Sequence, residues 1–306
     1  MRRVLVTGAG GFIGRQTLMP LQAAGCEIHA ASLDIPKEAP VGIHWYSHNL
    51  LQTAQINELL QFVRPTHLLH LAWYAAPGKF WTAQENVQWM EAGKELIRAF
   101  CRNGGLRAVF AGTCAEYETG HGQCVENHTP LCPATLYGAC KHELHRFVVD
   151  HAKLNSTRIA WGRPFHLYGP HEYPQRLIPA IIRPLLLGEE ALCTEGTQVR
   201  DFMHVRDVAS AFVALLLSPV EGAVNIASGN PIRLADIARR IASRLGAVEH
   251  LRLGALPMPS GDPPVLTASV ERLNHEVKWR PTISLDQGLE ETIVWWQEQR
   301  LQGLIH

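Results

Sequence analysis

Short apolar runs alternate with longer amphipathic segments through the first half of the chain. The runs have the length of buried strands and cover Arg3–Thr7, Ile28–Ala31, His67–Ala72, Ala108–Thr113 and Thr157–Gly162. The segments between them have helical length and spacing and cover Phe12–Ala24, Thr53–Val63, Gln84–Arg102 and Ala134–Lys153. Such alternation is typical of a parallel sheet with right-handed crossovers. We therefore expect an α/β fold built on a doubly wound parallel Rossmann sheet.

The pattern changes after residue 163, where prolines interrupt a region of loops and helices. These prolines are Pro164, Pro170, Pro174, Pro179 and Pro184. Farther on, we expect a helix over Val205–Leu217 and a strand over Ala223–Ile226 to return to the main sheet. The sequence thus predicts a dinucleotide-binding domain over 1–163, to which 204–228 return. A smaller C-terminal substrate-binding lid is predicted from 164–203 and 229–306.

Composition narrows the class of protein. The 306 residues are 46% hydrophobic, which is enough for a well-buried core. Lys+Arg and Asp+Glu both number 28, so a net charge of zero argues against nucleic acid or an anionic membrane surface as the main partner. No apolar stretch has the length of a membrane-spanning helix, and the apolar run near the N-terminus ends at Gly8, too soon for a signal peptide.

Cysteine and histidine usage bears on location and metals. Seven dispersed cysteines without a C-x-x-C pair fit reduced thiols, and we expect a cytoplasmic protein. The sixteen histidines are scattered without paired metal-ligand spacing, so no metal site is predicted.

A glycine-rich turn follows the first strand. The strand VLVT leads into GAGGFIG, which places Gly8, Gly11 and Gly14 between a strand and a helix. Glycines at these places permit a tight turn, close approach of backbone amides to a pyrophosphate, and close helix–strand packing. A turn without a ligand is the simpler alternative, but the flanking strand and helix favour dinucleotide binding.

The end of the second strand indicates which cofactor is preferred. An NAD-binding enzyme usually has an acid there for the ribose 2′-hydroxyl, whereas EIHAASLD places Ser32 at that position and Asp34 two residues later. A carboxylate would repel a 2′-phosphate, and Arg15 could supply a compensating positive charge. NADP(H) is therefore favoured, with NAD(H) possible if Asp34 turns back.

Thr113, Tyr137 and Lys141 form a candidate catalytic set. Tyr137 and Lys141 are four apart on one helix face, and Thr113 ends the preceding strand. A tyrosine whose pKa is lowered by the ammonium could exchange the hydroxyl proton of a substrate, while a strand-end hydroxyl polarises a carbonyl. Tyr and Lys also occur at this spacing by chance, but their place downstream of a nucleotide loop strengthens the assignment.

These motifs together resemble the extended short-chain dehydrogenase/reductase family, in its NAD-dependent epimerase/dehydratase branch. The similar strings are VTGAGGFIG, HLA at His70–Ala72, Asn86–Val87, Thr113 and Tyr137-x-x-x-Lys141. In the second half, GRPFHLYGPHE resembles the family's R-x-x-N-x-Y-G-P, and VRDFMHVRDVASA resembles R-D-F-x-H-V-x-D. The resemblance spans almost the whole chain, and its C-terminal motifs are those of enzymes that act on nucleotide-diphosphate sugars.

The resemblance implies roles for particular residues. It assigns the cofactor to Gly8, Gly11, Phe12, Ile13, Gly14, Ser32, Asn49, Leu50, Leu71, Ala72, Tyr137, Lys141 and Pro164. It assigns the substrate to Thr113, His166, Arg176 and Arg200, with Arg200 on the diphosphate. An ion pair of Arg200 with Asp201 or Asp207 is the alternative. His166 stands where the family has asparagine, and Pro259 where it has a second diphosphate arginine.

Departures from the family narrow the reaction. Dehydratases carry Asp-Glu after the threonine, where this chain has Cys114 and Ala115, so dehydration is not expected. The Cys and His of enzymes like GDP-fucose synthase are matched by Ala115 and Arg176, which argues against their double epimerisation. Reduction of a 4-keto-6-deoxy sugar remains first, with 4-epimerisation on tightly bound NAD as the alternative. A non-catalytic dinucleotide sensor is a further alternative, although such proteins commonly lose the Tyr–Lys pair.

Related enzymes form homodimers through the two helices at Gln84–Arg102 and Ala134–Lys153, and we expect the same here. The apolar residues available for such a contact are Ala92, Leu96, Ala99, Leu144, Phe147 and Val148. The alternative is that all of them face the sheet of their own chain.

Overall fold

A seven-stranded parallel sheet forms the centre of the computed structural model, which describes residues 2–37, 39–76 and 78–304. Its strands are β1 (Arg3–Thr7), β2 (Glu27–Ser32), β3 (Ile43–Ser47), β4 (His67–His70), β5 (Arg107–Ala111), β7 (Arg158–Pro164) and β11 (Gly222–Ile226). Their order is β11-β7-β5-β4-β1-β2-β3, and every neighbouring pair is parallel. The chain thus winds outward in both directions from β1, which confirms the doubly wound fold.

A smaller group of strands lies outside this sheet. They are β6 (Gly122–Cys124), β8 (His166–Tyr168), β9 (Ala191–Leu192), β10 (Val199–His204), β12 (Pro231–Arg233), β13 (Leu251–Arg252) and β14 (Val265–Ala268). Strand β10 is central to this group, because it pairs with β12, β14 and β8. The separate pair β9–β13 completes the group. The boundaries of a substrate-binding lid stay a prediction.

Helices cover both faces of the large sheet and support the smaller strands. They are α1 (Gly14–Ala23), α2 (Thr53–Val63), α3 (Glu85–Arg102), α4 (Leu136–Leu154), α5 (Leu177–Leu187), α6 (Val205–Leu217), α7 (Leu234–Arg244), α8 (Glu271–His275) and α9 (Leu285–Leu301). Two short 3-10 turns lie at Cys114–Glu116 and Val248–His250. Within the described ranges, no helix combines the length and apolar character that a membrane crossing would require.

Alternate side chains of the strands explain why both faces carry helices. In β1, Val4 and Val6 belong to the core shared with α1 and α6, whereas Leu5 belongs to the core shared with α2, α3 and α4. Both sets are fully buried, so the strands are continuous apolar runs rather than alternating ones. The helices cover the two faces of the sheet but not the carboxyl ends of its strands, so a site can form at that edge.

The apolar residues expected at a dimer contact are mostly used inside the chain. Leu96, Ala99, Leu144 and Val148 are buried in the core under the sheet. Phe147 is partly buried beneath the Arg98 guanidinium, 4.7 Å from its ring centroid. The sheet-facing alternative thus holds for four of the six residues, and the homodimer stays a prediction.

Candidate active site

The glycine turn after β1 is shaped by contacts that exclude side chains. Gly8 has φ +71°, and a Cβ there would lie 2.7 Å from the backbone nitrogen of Ala72. A Cβ on Gly14 would lie 2.1 Å from the carbonyl oxygen of Gly8, and Gly11 N donates to that same oxygen at 2.9 Å. The turn therefore leaves room for backbone approach at the start of α1, as phosphate binding requires.

A positive charge lies against this turn. The Arg15 guanidinium donates to the carbonyl oxygens of Gly10 at 2.9 Å and Gly11 at 3.3 Å. Ser32 ends β2, and a Cβ on Gly10 would lie 2.7 Å from its Oγ. The strand end that carries an acid in many NAD enzymes thus presents a hydroxyl to the glycine turn.

The other predicted cofactor residues gather at the carboxyl edge of the same sheet. Phe12 and Ile13 lie on the turn itself; Asn49 and Leu50 follow β3, Leu71 and Ala72 follow β4, and Pro164 ends β7. Close to them, His70 Nδ1 bonds Thr7 Oγ1 at 2.7 Å, while its buried Nε2 has no hydrogen-bond partner among the described residues. An unsatisfied polar atom and a cradle of glycines at one edge fit a dinucleotide.

Thr113, Tyr137 and Lys141 are brought together at this edge. Thr113 follows β5 and caps the 3-10 turn, with its hydroxyl accepting from Ala115 N at 3.2 Å. Tyr137 lies in the first turn of α4, where the Thr113 side chain is close enough to act on its hydroxyl. Lys141, one turn on, donates from Nζ to the carbonyl oxygen of Ala111 at 2.7 Å.

Burial shifts the pKa values of both Tyr137 and Lys141, and the shift of Tyr137 is opposite to the expected one. Burial raises the pKa of Tyr137, and the hydrogen bond with Thr113 opposes this rise. Burial lowers the pKa of Lys141 to about 7, and the Glu116 carboxylate opposes that fall. The expected lowering of the tyrosine pKa by the ammonium is therefore wrong for this structure, because desolvation of the phenolate outweighs other influences.

Glu116 is a buried carboxylate that the sequence argument missed. Its Oε1 accepts from Thr113 N and from Trp161 Nε1, both at 2.8 Å, and its Oε2 accepts from Arg163 Nε at 2.9 Å. Glu116 is 0% exposed, so these donors are what allow its charge to be buried. The T-x-x-E spacing from Thr113 to Glu116 is the signal of a capping box and was available in the sequence.

Glu116 also belongs to a group of possible metal ligands. In the described part of the chain, ligand atoms of Glu116, His142 and His145 lie within 4.8 Å of one another, so His142 and His145 do have a paired spacing. The Glu116 carboxylate already accepts three hydrogen bonds, and Arg163 Nη2 lies 3.4 Å from His145 Nδ1. A guanidinium at this distance disfavours a cation, so the group fits an ion-pair network better than a metal site.

Arg200 is held by an acid that the sequence argument did not choose. Its guanidinium donates to Asp262 Oδ1 at 2.6 Å, and Gln198 Nε2 donates to Oδ2 of the same carboxylate at 3.0 Å. Asp201 instead accepts from Ser228 and Gly229, and Asp207 accepts from Thr282 and Ile283. The alternative partners Asp201 and Asp207 are therefore wrong, and Arg200 is fixed by a residue 62 positions later in the chain.

Two further unsatisfied groups lie after β7. Burial lowers the pKa of His166 to about 3, with Arg200 and Arg176 adding to the effect, and its buried Nδ1 has no partner in the described chain. Burial raises the pKa of Glu172 to about 8, and its buried Oε2 is likewise without a partner there. Arg176, whose guanidinium lies 5.2 Å from the Phe80 ring centroid, acts on both groups and on Tyr137. Arg176 thus acts electrostatically on Tyr137, and Arg200 acts on His166.

Two cavities lie among the smaller strands and the helices that pack on them. The smaller, about 230 Å³, lies between α5, α7 and the segment around Cys193 and Gly196. The larger, about 1090 Å³, opens beside β12 and the start of α9, and Arg233, Arg239 and Arg240 contribute to its wall. Its described lining includes none of the predicted site residues, so size alone does not identify the site.

The chain is similar to members of one known protein family. The family model described as "NAD dependent epimerase/dehydratase family" matches residues 4–227. A UDP-N-acetyl-alpha-D-glucosaminuronate decarboxylase from Bacillus cytotoxicus is 25% identical, over 97% of this chain and 98% of its own. A UDP-glucose 4-epimerase from Azospirillum brasilense is 23% identical, over 99% and 94%. The solved structure of MoeE5 in complex with UDP-glucose and NAD is 26% identical, with a TM-score of 0.83 over 97% and 99% of the two chains.

Proposed function

The chain belongs to the NAD-dependent epimerase/dehydratase family, and from this premise we propose that it catalyses hydride transfer at C4 of a nucleotide-diphosphate sugar. The first candidate reaction is the NADP(H)-dependent reduction of a 4-keto-6-deoxy sugar. The observation that carries the proposal is the placement of Thr113, Tyr137 and Lys141 together at the carboxyl edge of the sheet. This is the place where open α/β sheets bind their ligands.

The residues next to Thr113 support reduction over elimination of water. Ala115 has no ionisable group, and burial raises the pKa of the Cys114 thiol to about 12. Neither residue can remove a proton from carbon near neutral pH, which a dehydratase needs at this position. One proton donor, Tyr137, is enough for ketone reduction.

The roles of the chain's own residues follow from that assignment. When bound, the nicotinamide supplies the hydride that forms the new C–H bond at C4. Tyr137 gives its hydroxyl proton to the carbonyl oxygen as the C=O bond becomes C–O–H, and the resulting phenolate regains a proton from solvent. Thr113 donates a hydrogen bond to the same oxygen, and the Lys141 ammonium stabilises the phenolate.

Arg200 is proposed to bind the diphosphate of the substrate. It is 3% exposed and fixed by Asp262, so little further ordering is needed when phosphate oxygens approach its free donors. The 230 Å³ cavity between α5 and α7 has space for a nucleobase. MoeE5, which matches 97% of this chain, was solved with UDP-glucose, which supports a nucleotide-diphosphate sugar as the substrate class.

The cofactor preference rests on the glycine turn. The Arg15 guanidinium on the carbonyls of Gly10 and Gly11, together with Ser32 at the end of β2, favours the 2′-phosphate of NADP(H). The residues proposed to hold the dinucleotide are those of the turn, the ends of β3 and β4, and Pro164. NAD(H) is the alternative, and MoeE5 is a relative that was solved with NAD.

A second candidate is 4-epimerisation with retained NAD. It is favoured by the 4-epimerase from Azospirillum brasilense, which matches 99% of this chain. The small side chains Cys114 and Ala115 also suit it, since an epimerase needs no acid pair there. It requires that the same Tyr137 remove a hydroxyl proton and later return it.

Native mass spectrometry of the freshly purified protein separates the candidates. A protein that purifies empty and oxidises NADPH in the presence of a UDP- or dTDP-4-keto-6-deoxyglucose is the expected result. Retained NAD together with conversion of UDP-glucose to UDP-galactose would establish the epimerase instead. Tight dinucleotide binding without turnover on either substrate would instead indicate a non-catalytic dinucleotide sensor. Cytoplasmic location and homodimer formation remain predictions.

A further inference from the structure

Trp73 contacts both members of the Tyr–Lys pair. The Lys141 ammonium lies 3.7 Å from the Trp73 ring centroid, well within the range of a cation–π interaction. The same indole meets the Tyr137 ring in an edge-to-face arrangement, at 6.3 Å between centroids and 72° between planes. Trp73 lies directly after the HLA segment on the loop that follows β4.

The Trp73 indole is held in place by the side-chain amide of Asn86. Trp73 Nε1 donates to Asn86 Oδ1 at 2.8 Å. Asn86 Nδ2 donates to the carbonyl oxygens of Phe80 at 2.6 Å and Ala83 at 2.8 Å, so the amide ties the loop to the start of α3. Asn86 is 0% exposed. Its hydrogen bonds hold the Trp73 ring in one orientation, with the ring face toward Lys141.

The ring face of Trp73 matters because the Lys141 ammonium has few other contacts among the described residues. The titratable groups that interact electrostatically with Lys141 are His70 on β4 and Glu116 after β5, and Tyr137 lies one turn before it on the same helix. Glu116 is already bonded to Thr113, Trp161 and Arg163 rather than to Lys141. Among the described residues, the contacts of the buried ammonium are therefore one carbonyl oxygen, that of Ala111, and the π face of Trp73.

We propose that Trp73 is a positioning residue that keeps Lys141 charged and aligned beside Tyr137. The negative face of the indole stabilises the ammonium where water is excluded, and the Asn86 bond sets the ring's orientation. The proposal rests on the proposed function in taking Lys141 as a working residue. It adds that the charge of Lys141 depends on a side chain outside the Thr–Tyr–Lys set.

The test is the titration of Lys141 in the whole protein without substrate or cofactor. The chain has six lysines, namely Lys37, Lys79, Lys94, Lys141, Lys153 and Lys278, so protein labelled with ¹³C at lysine Cε gives few NMR signals. Lys141→Arg assigns the signal of interest. Trp73→Met removes the aromatic face but keeps apolar volume, and Trp73→Phe keeps a ring face without the indole N–H.

The expected result is a shift confined to the variant without a ring. The wild-type pKa of Lys141 is about 7, and Trp73→Met should lower it by about one unit, since a desolvated cation–π contact favours the charged form by this order. Trp73→Phe should restore most of the wild-type value. Trp81→Met is the matched control, because the Trp81 ring lies 5.8 Å from that of Tyr137 and, in the described structure, makes no cation–π contact with Lys141.

An unchanged Lys141 titration in Trp73→Met would overturn the proposal, as would an equal shift in Trp73→Met and Trp73→Phe. If Trp73→Met does not fold, the comparison of Trp73→Phe with wild type decides, since a shift near one unit there also contradicts the proposal. The measurement involves no nucleotide sugar, so its failure and a failure of the proposed reaction are separate outcomes. As a second readout, the pH profile of kcat should move to lower pH in Trp73→Met, in step with the titration.

Discussion

The backbone N–H of Thr113 donates to Oε1 of Glu116 at 2.8 Å, and this bond ties a candidate catalytic hydroxyl to a buried ion pair. The other carboxylate oxygen of Glu116 accepts from Arg163 Nε at 2.9 Å, and Arg163 is 1% exposed. The place of the Thr113 hydroxyl is thus set by charges in the core as well as by the strand before it.

Glu116→Ala should destabilise the protein by about 3–5 kcal/mol, because it leaves the buried Arg163 guanidinium without its carboxylate. Urea unfolding followed by circular dichroism measures the loss. The double variant Glu116→Ala/Arg163→Met should recover part of it, since no uncompensated charge remains. Equal stability of the single variant and wild type would show that the pair contributes nothing to the fold.

Tyr137→Phe should abolish turnover while the fold and the affinity for the reduced cofactor survive, because only the transferable proton is removed. The measurements are steady-state rates with a 4-keto sugar nucleotide and fluorescence titration of NADPH. Tyr46→Phe is the matched control, since Tyr46 lies on the edge strand β3 and its hydroxyl bonds His29. A near wild-type rate in the Tyr137→Phe variant would show that another group supplies the proton.

NADPH should bind more tightly than NADH, and Ser32→Asp should reverse the preference by placing a carboxylate beside the 2′-phosphate. Arg15→Ala should weaken NADPH binding by roughly ten- to a hundredfold, the size of one charge-assisted hydrogen bond, and leave NADH nearly unchanged. Fluorescence titration of both reduced cofactors tests each variant. Tighter binding of NADH by the wild type would contradict the preference.

Arg200→Ala should raise KM by about ten- to a hundredfold, while kcat at saturation falls much less. Diphosphate binding is shared by ground and transition states, so affinity changes more than chemistry. Lysine at this position should rescue only part of the loss, because it lacks the planar fork. Arg239→Ala, in the wall of the larger cavity, is the control and should leave KM unchanged. If Arg200→Ala loses stability with KM unaltered, Arg200 is merely the structural partner of Asp262.

Glu172 should make stability depend on pH. Its pKa is raised from 4.5 to about 8, so between these values the native state binds more protons than the unfolded state, and the unfolding free energy falls as pH rises. Glu172→Gln removes this cost, and its stability relative to wild type should rise from pH 5 to pH 8 by roughly 2–5 kcal/mol. Urea unfolding across this range measures it, with the exposed Glu189→Gln as control. A constant difference would mean that Glu172 titrates normally.

The periodicity of the sequence located the elements of the large sheet well. Strand β1 and helices α2 and α6 have the predicted bounds, because each is a regular apolar pattern with clear ends. Strand β3 was missed: its side chains, such as His44 and Ser47, are largely exposed at the sheet edge, so it lacks the apolar run that marks the inner strands.

The sequence predicted those parts of the site that lie within a single motif. Neighbours in sequence, such as Tyr137 and Lys141, could be paired by helical spacing alone. The pairing of Arg200 with Asp262 and the contact of Trp73 with Lys141 could not, because each joins segments that only the folded chain brings together. The pKa of Tyr137 was misjudged for a related reason, since burial is a property of the tertiary structure.

The late synthesis of β11, which covers the outer side of β7, has a consequence for folding on the ribosome. The other six strands of that sheet are complete by residue 164, whereas β11 is made only at Gly222–Ile226 and joins β7 from outside. While the intervening residues emerge, the backbone groups along the free side of β7 have no partner and can pair with another nascent chain. We therefore expect the protein to be more prone to aggregation during this interval of translation than after β11 has paired with β7.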